Sequence, residues 1–327
     1  MPAPVTSRRA FLSLLALGAA APRGAHAQPS GRVPQIGYLA GAAVPDALDT
    51  ALVDALGEVA VREGRRARLE IRYAAGSEER FPGLAVDLVR IGVDVIVARE
   101  ALAAVAARKA TAKTPIVFVA VSHPVELGLV ARLARPGANV TGVGTARLAE
   151  RRLRLLRELV LSATRIALLI DPASPTARAA LEEAKAAARA LDVSVEPFPL
   201  RTPADVDGVF ASMSERHASG LLVSADSLLR AHRARVVSAA AAKYLPAIYP
   251  SRDFLEVGGL MSYAPHPVDL AREVVKYVEQ ILRGAAPAEL PVGEPTRFEL
   301  VINAKTARAL GVGIPPWLLL QADQIID

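Results

Sequence analysis

The chain has 327 residues, 52% of them hydrophobic, too long and too apolar for a disordered protein or a disulfide scaffold and suited to two globular lobes. It has no cysteine, which excludes Cys-ligated zinc, iron–sulfur clusters, thiol nucleophiles, redox pairs and lipid-modified cysteine. Half of the formal charge of +6 comes from Arg8, Arg9 and Arg23, and the small remaining excess is not the clustered basic stripe of a nucleic-acid binder.

The first segment reads as an address. Arg8 and Arg9 precede an apolar run from Ala10 to Ala21, followed by Pro22 and then Ala25-His26-Ala27. This is the three-part pattern of an export signal, with cleavage expected after Ala27. The run is about 12 residues where a spanning helix needs about 20. The arginine pair with Phe11-Leu12 behind it resembles a twin-arginine signal. The remainder is expected to be soluble and periplasmic.

From Val33 onward, short β-type runs alternate with alanine-rich stretches of helical period, which predicts α/β architecture with parallel sheets covered on both faces. The first half reads as strand 35–39, helix 46–62, strand 67–73, helix 78–91, strand 94–98, helix 101–112, strand 115–121 and strand 139–143. The second set begins with helix 149–160, strand 165–170, helix 175–191 and strand 194–197. It continues with helix 203–216, strand 220–224, helix 228–244 and strand 247–249. Two comparable sets predict two doubly wound lobes with a cleft between them. Helices with charged faces and no long apolar stripe favour a monomer.

In open α/β sheets a ligand sits beyond the carboxyl ends of the strands. Ala40 and Gly41 follow the first strand, small residues that let a ligand, or simply a tight turn, approach the backbone. Arg99 and Glu100 follow the strand ending at 98, and Ser122 and His123 follow the one ending at 121. Asp171 and Ser174 stand before a helix and serve equally well as caps or as cleft residues. Asp226-Ser227 and Tyr249-Pro250-Ser251-Arg252 stand at the ends of later strands with the same two readings. His123 has no evident nucleophile and orienting acid beside it, so it reads as a hydrogen-bonding group.

The sequence carries no phosphate-cradling loop, dinucleotide fingerprint, serine-hydrolase elbow or zinc-protease motif. Its five histidines, at 26, 123, 217, 232 and 266, have no metal-ligand spacing, and Trp317 is too solitary for a base-stacking platform. No cofactor, metal or nucleic acid is implied.

Several strings, in order along the chain, resemble the family of periplasmic ABC-transporter substrate-binding proteins that includes the tryptophan- and tyrosine-transport binding proteins. They include Ile36-Gly37-Tyr38-Leu39, Pro115-Ile116-Val117-Phe118-Val119, Arg135-Pro136-Gly137-Ala138-Asn139-Val140-Thr141-Gly142-Val143 and Leu156-Arg157-Glu158-Leu159-Val160. Further along come Pro246-Ala247-Ile248-Tyr249, Gly258-Gly259-Leu260-Met261-Ser262-Tyr263, Pro295-Thr296-Arg297-Phe298-Glu299-Leu300 and Pro315-Pro316-Trp317-Leu318. The resemblance implies the type I periplasmic-binding-protein fold, with three crossovers acting as hinges. Lobe one would hold 33–144 and 262–292, and lobe two 145–261 and 293–327. It also implies a small-molecule ligand, delivery to an ABC permease in the inner membrane, and no catalysis, and it brings Tyr263 to the second crossover beside the cleft.

The departures from the family fall at the cleft, where Arg99-Glu100 replaces a Thr-Gly-Gly type loop and His123 stands where an aspartate is common. Arg99 with His123 would suit a carboxylate-bearing ligand. Glu100, Asp171 or Asp226 would serve an amino-acid ammonium. Two other readings share the fold: an exported enzyme using His123 with Asp171 or Asp226, and a ligand-sensing partner of a membrane sensor kinase.

Overall fold

The computed structural model describes residues 33–61, 65–145 and 148–327, so the leader expected over 1–27 lies outside the described residues. The first run comprises β1 (Gln35–Ala40), α1 (Ala47–Gly57), a small hairpin β2 (Ala60–Val61) and β3 (Arg65–Arg66), then β4 (Arg68–Tyr73) and α2 (Phe81–Arg90). It ends with β5 (Val95–Ala98), α3 (Ala101–Ala110), β6 (Ile116–Val121) and β7 (Val140–Gly144). The five-stranded sheet has the order β4-β1-β5-β6-β7, and every neighbouring pair is parallel.

The second run is α4 (Leu148–Leu159), β8 (Arg165–Ile170), α5 (Ala177–Ala190), β9 (Ser194–Pro199), α6 (Val206–Glu215) and β10 (Gly220–Val223). Then come α7 (Ser227–Ala231), α8 (Arg233–Ala242), β11 (Ala247–Tyr249), α9 (Asp253–Glu256) and β12 (Met261–Pro265). After α10 (Pro267–Leu282) the chain adds β13 (Phe298–Asn303), α11 (Ala304–Ala309), α12 (Pro316–Gln321) and β14 (Gln324–Ile326). The seven-stranded sheet has the order β14-β13-β12-β11-β10-β8-β9, with β12 and β13 antiparallel.

The central strands of the two large sheets are buried on both faces, which is why they read as continuous apolar runs rather than alternating ones. In β1, Ile36, Tyr38 and Ala40 pack toward α1 and α10, while Leu39 packs toward α2 and α3. The stripe Leu270, Val274, Val278 and Ile281 of α10 recurs at helical period and meets Leu52 and Leu56 of α1. Burial of each such side chain contributes about 1.5–3 kcal/mol, enough to bring α10 back onto the first sheet.

Three differences from the sequence reading have local causes. The helix expected over 46–62 stops at Gly57, and the chain turns at once into the β2–β3 hairpin. The helix expected over 228–244 breaks at His232, which leaves helical geometry at φ −110° and ψ 25° and caps α8 through its carbonyl. Residues 262–265, expected to begin the return to lobe one, are still in β12, and the chain leaves the second sheet only at His266.

The crossing segments are tied to one another. Gly144 and Gly293 join through N–H to carbonyl bonds at 2.9 Å, as do Gly293 and Gly142, and the His266 amide donates to the Arg297 carbonyl at 3.0 Å.

Candidate functional site

A cavity of about 170 Å³ lies between the two sheets, and both lobes line it. Its apolar wall includes Leu48, Ala101, Val121, Leu148, Leu222 and Leu270. A register shift in β6 at Ala120, where φ is +55°, re-aims the end of the strand, and Ala120, Val121 and Ser122 all face the cavity.

Four arginines line the cavity, and three carry acidic partners. Arg99 lies 3.0 Å from Asp46 and 3.6 Å from Asp49. Asp46 and Asp49 form the capping box that starts α1, and the Tyr38 hydroxyl donates to Asp49 at 2.5 Å. Burial raises the Asp46 carboxyl, but Arg99 and then Arg230 outweigh it and hold the group well below the usual carboxylate range. Asp49 is raised by burial, against the pull of Arg99. Arg230 of α7 reaches across to Glu100 at 2.5 Å and to Asp46 at 3.4 Å. Arg252 faces Glu299 at 3.5 Å.

Arg152 is different. It is 7% exposed, its Nε donates to the Tyr263 carbonyl at 2.9 Å, and an Nη donates to the Pro250 carbonyl at 3.2 Å. Among the described residues it forms no ion pair, and burial brings it down to about 10. The charge of Glu183, which lines the same cavity, works against burial on Arg152 without reaching ion-pair distance, so Arg152 remains a cation at a cavity wall where an anion is held strongly.

The residues singled out from the sequence scatter. Arg99, Glu100, Ser122 and Asp226 line the cavity. Arg99 is taken up by Asp46 and Asp49 rather than left for a ligand with His123, because both aspartates stand at the helix start that its side chain meets. His123 points to Glu126 at 3.4 Å and to Glu183 of the other lobe at 3.3 Å, and neither Asp171 nor Asp226 is among its partners.

Asp171 is buried, accepts from the Ala173 amide at 2.9 Å, and gives its own N–H to Asp226 at 3.0 Å. Asp226 also accepts from the Ser224 hydroxyl. Ser174 pairs with the Thr176 hydroxyl at 3.0 Å. Asp171 and Ser174 thus make local turn contacts and stand off the cavity wall.

Ala40 is fully buried in the first core, and Gly41 sits behind Glu100 rather than on the cavity wall. Tyr249 is 1% exposed and stacked on Phe254 in the second core, where no solute reaches it. Tyr263 contributes its carbonyl to Arg152 while its ring stacks on Phe298.

The sequence reading missed Asp46, Arg152, Glu183, Arg230 and Asp253, which come from helices and turns. One signal was available. Arg152 lies on the same helical stripe as Leu148, Leu155, Leu156 and Leu159, so the periodicity of α4 points it inward.

The family model for ABC transporter substrate binding proteins matches residues 42–326. A tyrosine-binding protein of Clostridioides difficile (strain R20291) is 24% identical over 258 residues, which are 79% of this chain and 74% of that protein. An ABC domain in complex with L-Trp from Streptococcus pneumonia is 27% identical, with a TM-score of 0.83, covering 90% of this chain and 100% of that one. A ligand-free, open substrate binding protein with adhesive properties from Clostridium difficile has a TM-score of 0.65 at 23% identity, covering 90% and 99%.

Proposed function

The chain belongs to the family of ABC transporter substrate binding proteins, and we propose that the solute it captures between its lobes is a compact organic acid whose carboxylate is taken by Arg152. Proteins of this family bind a small molecule outside the cytoplasm and serve the permease of an ABC transporter. The observation that carries the ligand class is the charge on Arg152, buried at the cavity wall and, among the described residues, hydrogen-bonded to two backbone carbonyls and to no carboxylate. A cavity of about 170 Å³ compares with the roughly 150 Å³ that accommodates a benzene ring. Asp253 lines the same cavity, accepts from the Ser251 hydroxyl at 2.9 Å as its one side-chain hydrogen bond among the described residues, and suits an ammonium or hydroxyl on the same solute.

Because relatives bind tyrosine or L-Trp, aromatic amino acids are the first compounds to try, followed by smaller aromatic and branched acids. We place the protein in the periplasm on the leader pattern at 1–27, with cleavage at Ala27, a twin-arginine route and a monomeric receptor. Lobe closure would turn on the crossings near Gly144, His266 and 291–297, and no turnover is expected.

The test is calorimetric titration of each acid beside its primary amide. The acid binds and is recovered unchanged, while the amide, which lacks the charge Arg152 matches, binds about 1.5–3 kcal/mol more weakly, roughly tenfold to a hundredfold. Equal affinity for acid and amide refutes the role of Arg152. Consumption of the compound makes the protein an enzyme.

A further inference from the structure

Glu100 is the residue immediately before α3, the position whose side chain ordinarily caps the helix, yet it makes no cap hydrogen bond. Its carboxylate turns the other way. One oxygen accepts the Gly41 amide, from the loop that follows β1. The other accepts the Ser227 hydroxyl at 3.0 Å and the Arg230 guanidinium at 2.5 Å, both from α7 of the opposite lobe. A backbone amide, a hydroxyl and a guanidinium converging on one carboxylate is the set of donors that binds an acid in a cleft. Here the acid belongs to the chain. The approach is also built in at Gly41, where a Cβ would lie 2.5 Å from the Glu100 oxygen and 3.2 Å from the Phe81 ring.

We propose that Glu100 is an internal stand-in for a ligand carboxylate. It fills an acid-binding site that spans the lobes, holds them together before any solute arrives, and leaves Arg152 as the place where an incoming acid binds. Glu100 is then a specificity-determining residue, because the solute need not bridge the lobes at this point and cannot place its own acid there. This role presupposes that the cleft is the ligand site, but its test does not require the ligand to be known.

The experiment is chemical rescue, with sodium acetate as the probe and sodium chloride at the same concentration as the control. Glu100→Ala empties the site, so it melts several degrees below the wild type, and acetate but not chloride restores part of the loss. The same acetate raises the wild type less. In the double variant Glu100→Ala with Arg230→Ala the extra rise disappears, whereas it persists when Arg152→Met, which removes the charge, is combined with Glu100→Ala. That last comparison separates this site from the Arg152 site.

Rescue equal to that by chloride, a rise no larger than in the wild type, or a rise that survives Arg230→Ala overturns the proposal. If Glu100→Ala does not fold, Glu100→Gln keeps the shape and removes the charge. Small-angle scattering of ligand-free protein should then give a larger radius of gyration than the wild type, and an unchanged radius counts against the latch.

Discussion

Gly142 has φ at +152°, and a Cβ added there would stand 2.2 Å from the Phe118 carbonyl oxygen and 2.6 Å from its nitrogen. The obstacle is backbone in the neighbouring strand β6 rather than the tip of a mobile side chain, so neither partner is able to yield cheaply. Gly142→Ala is expected to cost more than about 3 kcal/mol, seen as a lower urea midpoint at similar slope. A midpoint within error of the wild type would show that β7 can shift away from β6. A second residue-scale consequence concerns protons. Glu78 is pushed up to about 7, first by burial and then by Asp171, Asp226 and Glu100, two of which belong to the opposite lobe. Its folded value is above its unfolded one, so its contribution to folding stability is complete below the ordinary carboxylate range and is lost as pH rises through about 7.

At the scale of elements the same sign recurs in the loop after β6. The hydrogen bond to Glu183, opposed by burial and aided by the Glu183 and Glu126 charges, raises His123 above its ordinary value. The link between that loop and α5 is therefore strongest when His123 is protonated and fades as pH climbs past the usual histidine range. Melting temperature measured from about pH 5 to about pH 9 should fall toward the alkaline end in the wild type, with a flatter profile in Glu78→Gln and in His123→Gln. A profile identical in all three proteins would remove both groups from the account.

Much of the element pattern was legible in the sequence because central parallel strands have to be apolar on both faces, and β8 and β11 carry the bounds read for them. Elements with too little periodicity escaped: α9, α11, α12 and β14 are short and depend on the cores they cover. The site was legible only in part for a related reason. The rule about strand ends locates Arg99, Glu100, Ser122 and Asp226 in single loops, but it does not reveal that Arg99 is consumed by the start of α1. Nor does it reveal that Arg230, 184 residues beyond Asp46, reaches back to it. Pairings at that separation follow from how the lobes close, which no local pattern encodes.

Across the whole molecule, charge bridges the cleft on both sides: Arg230 with Glu100 and Asp46, and His123 with Glu183. A solute that fills the cavity adds its affinity for the closed form to contacts the protein already makes, so the shift in population it has to supply is smaller than for lobes with no contact of their own. The interleaved chain path bears on assembly. The stripe of α10 that completes the first core is synthesised only after β12 of the second sheet, and β13 and β14 follow later still. A chain ended after Pro265 would leave Leu52 and Leu56 without their helix, and is expected to aggregate unless a peptide of residues 267–283 is supplied. Soluble, two-state unfolding of that fragment alone would contradict this. Neither lobe, then, is a finished folding unit until late in translation. The first lacks α10 until the second sheet is mostly made and the second lacks β13 and β14 until the end, so nearly the whole polypeptide has to emerge before either half can reach its final stability.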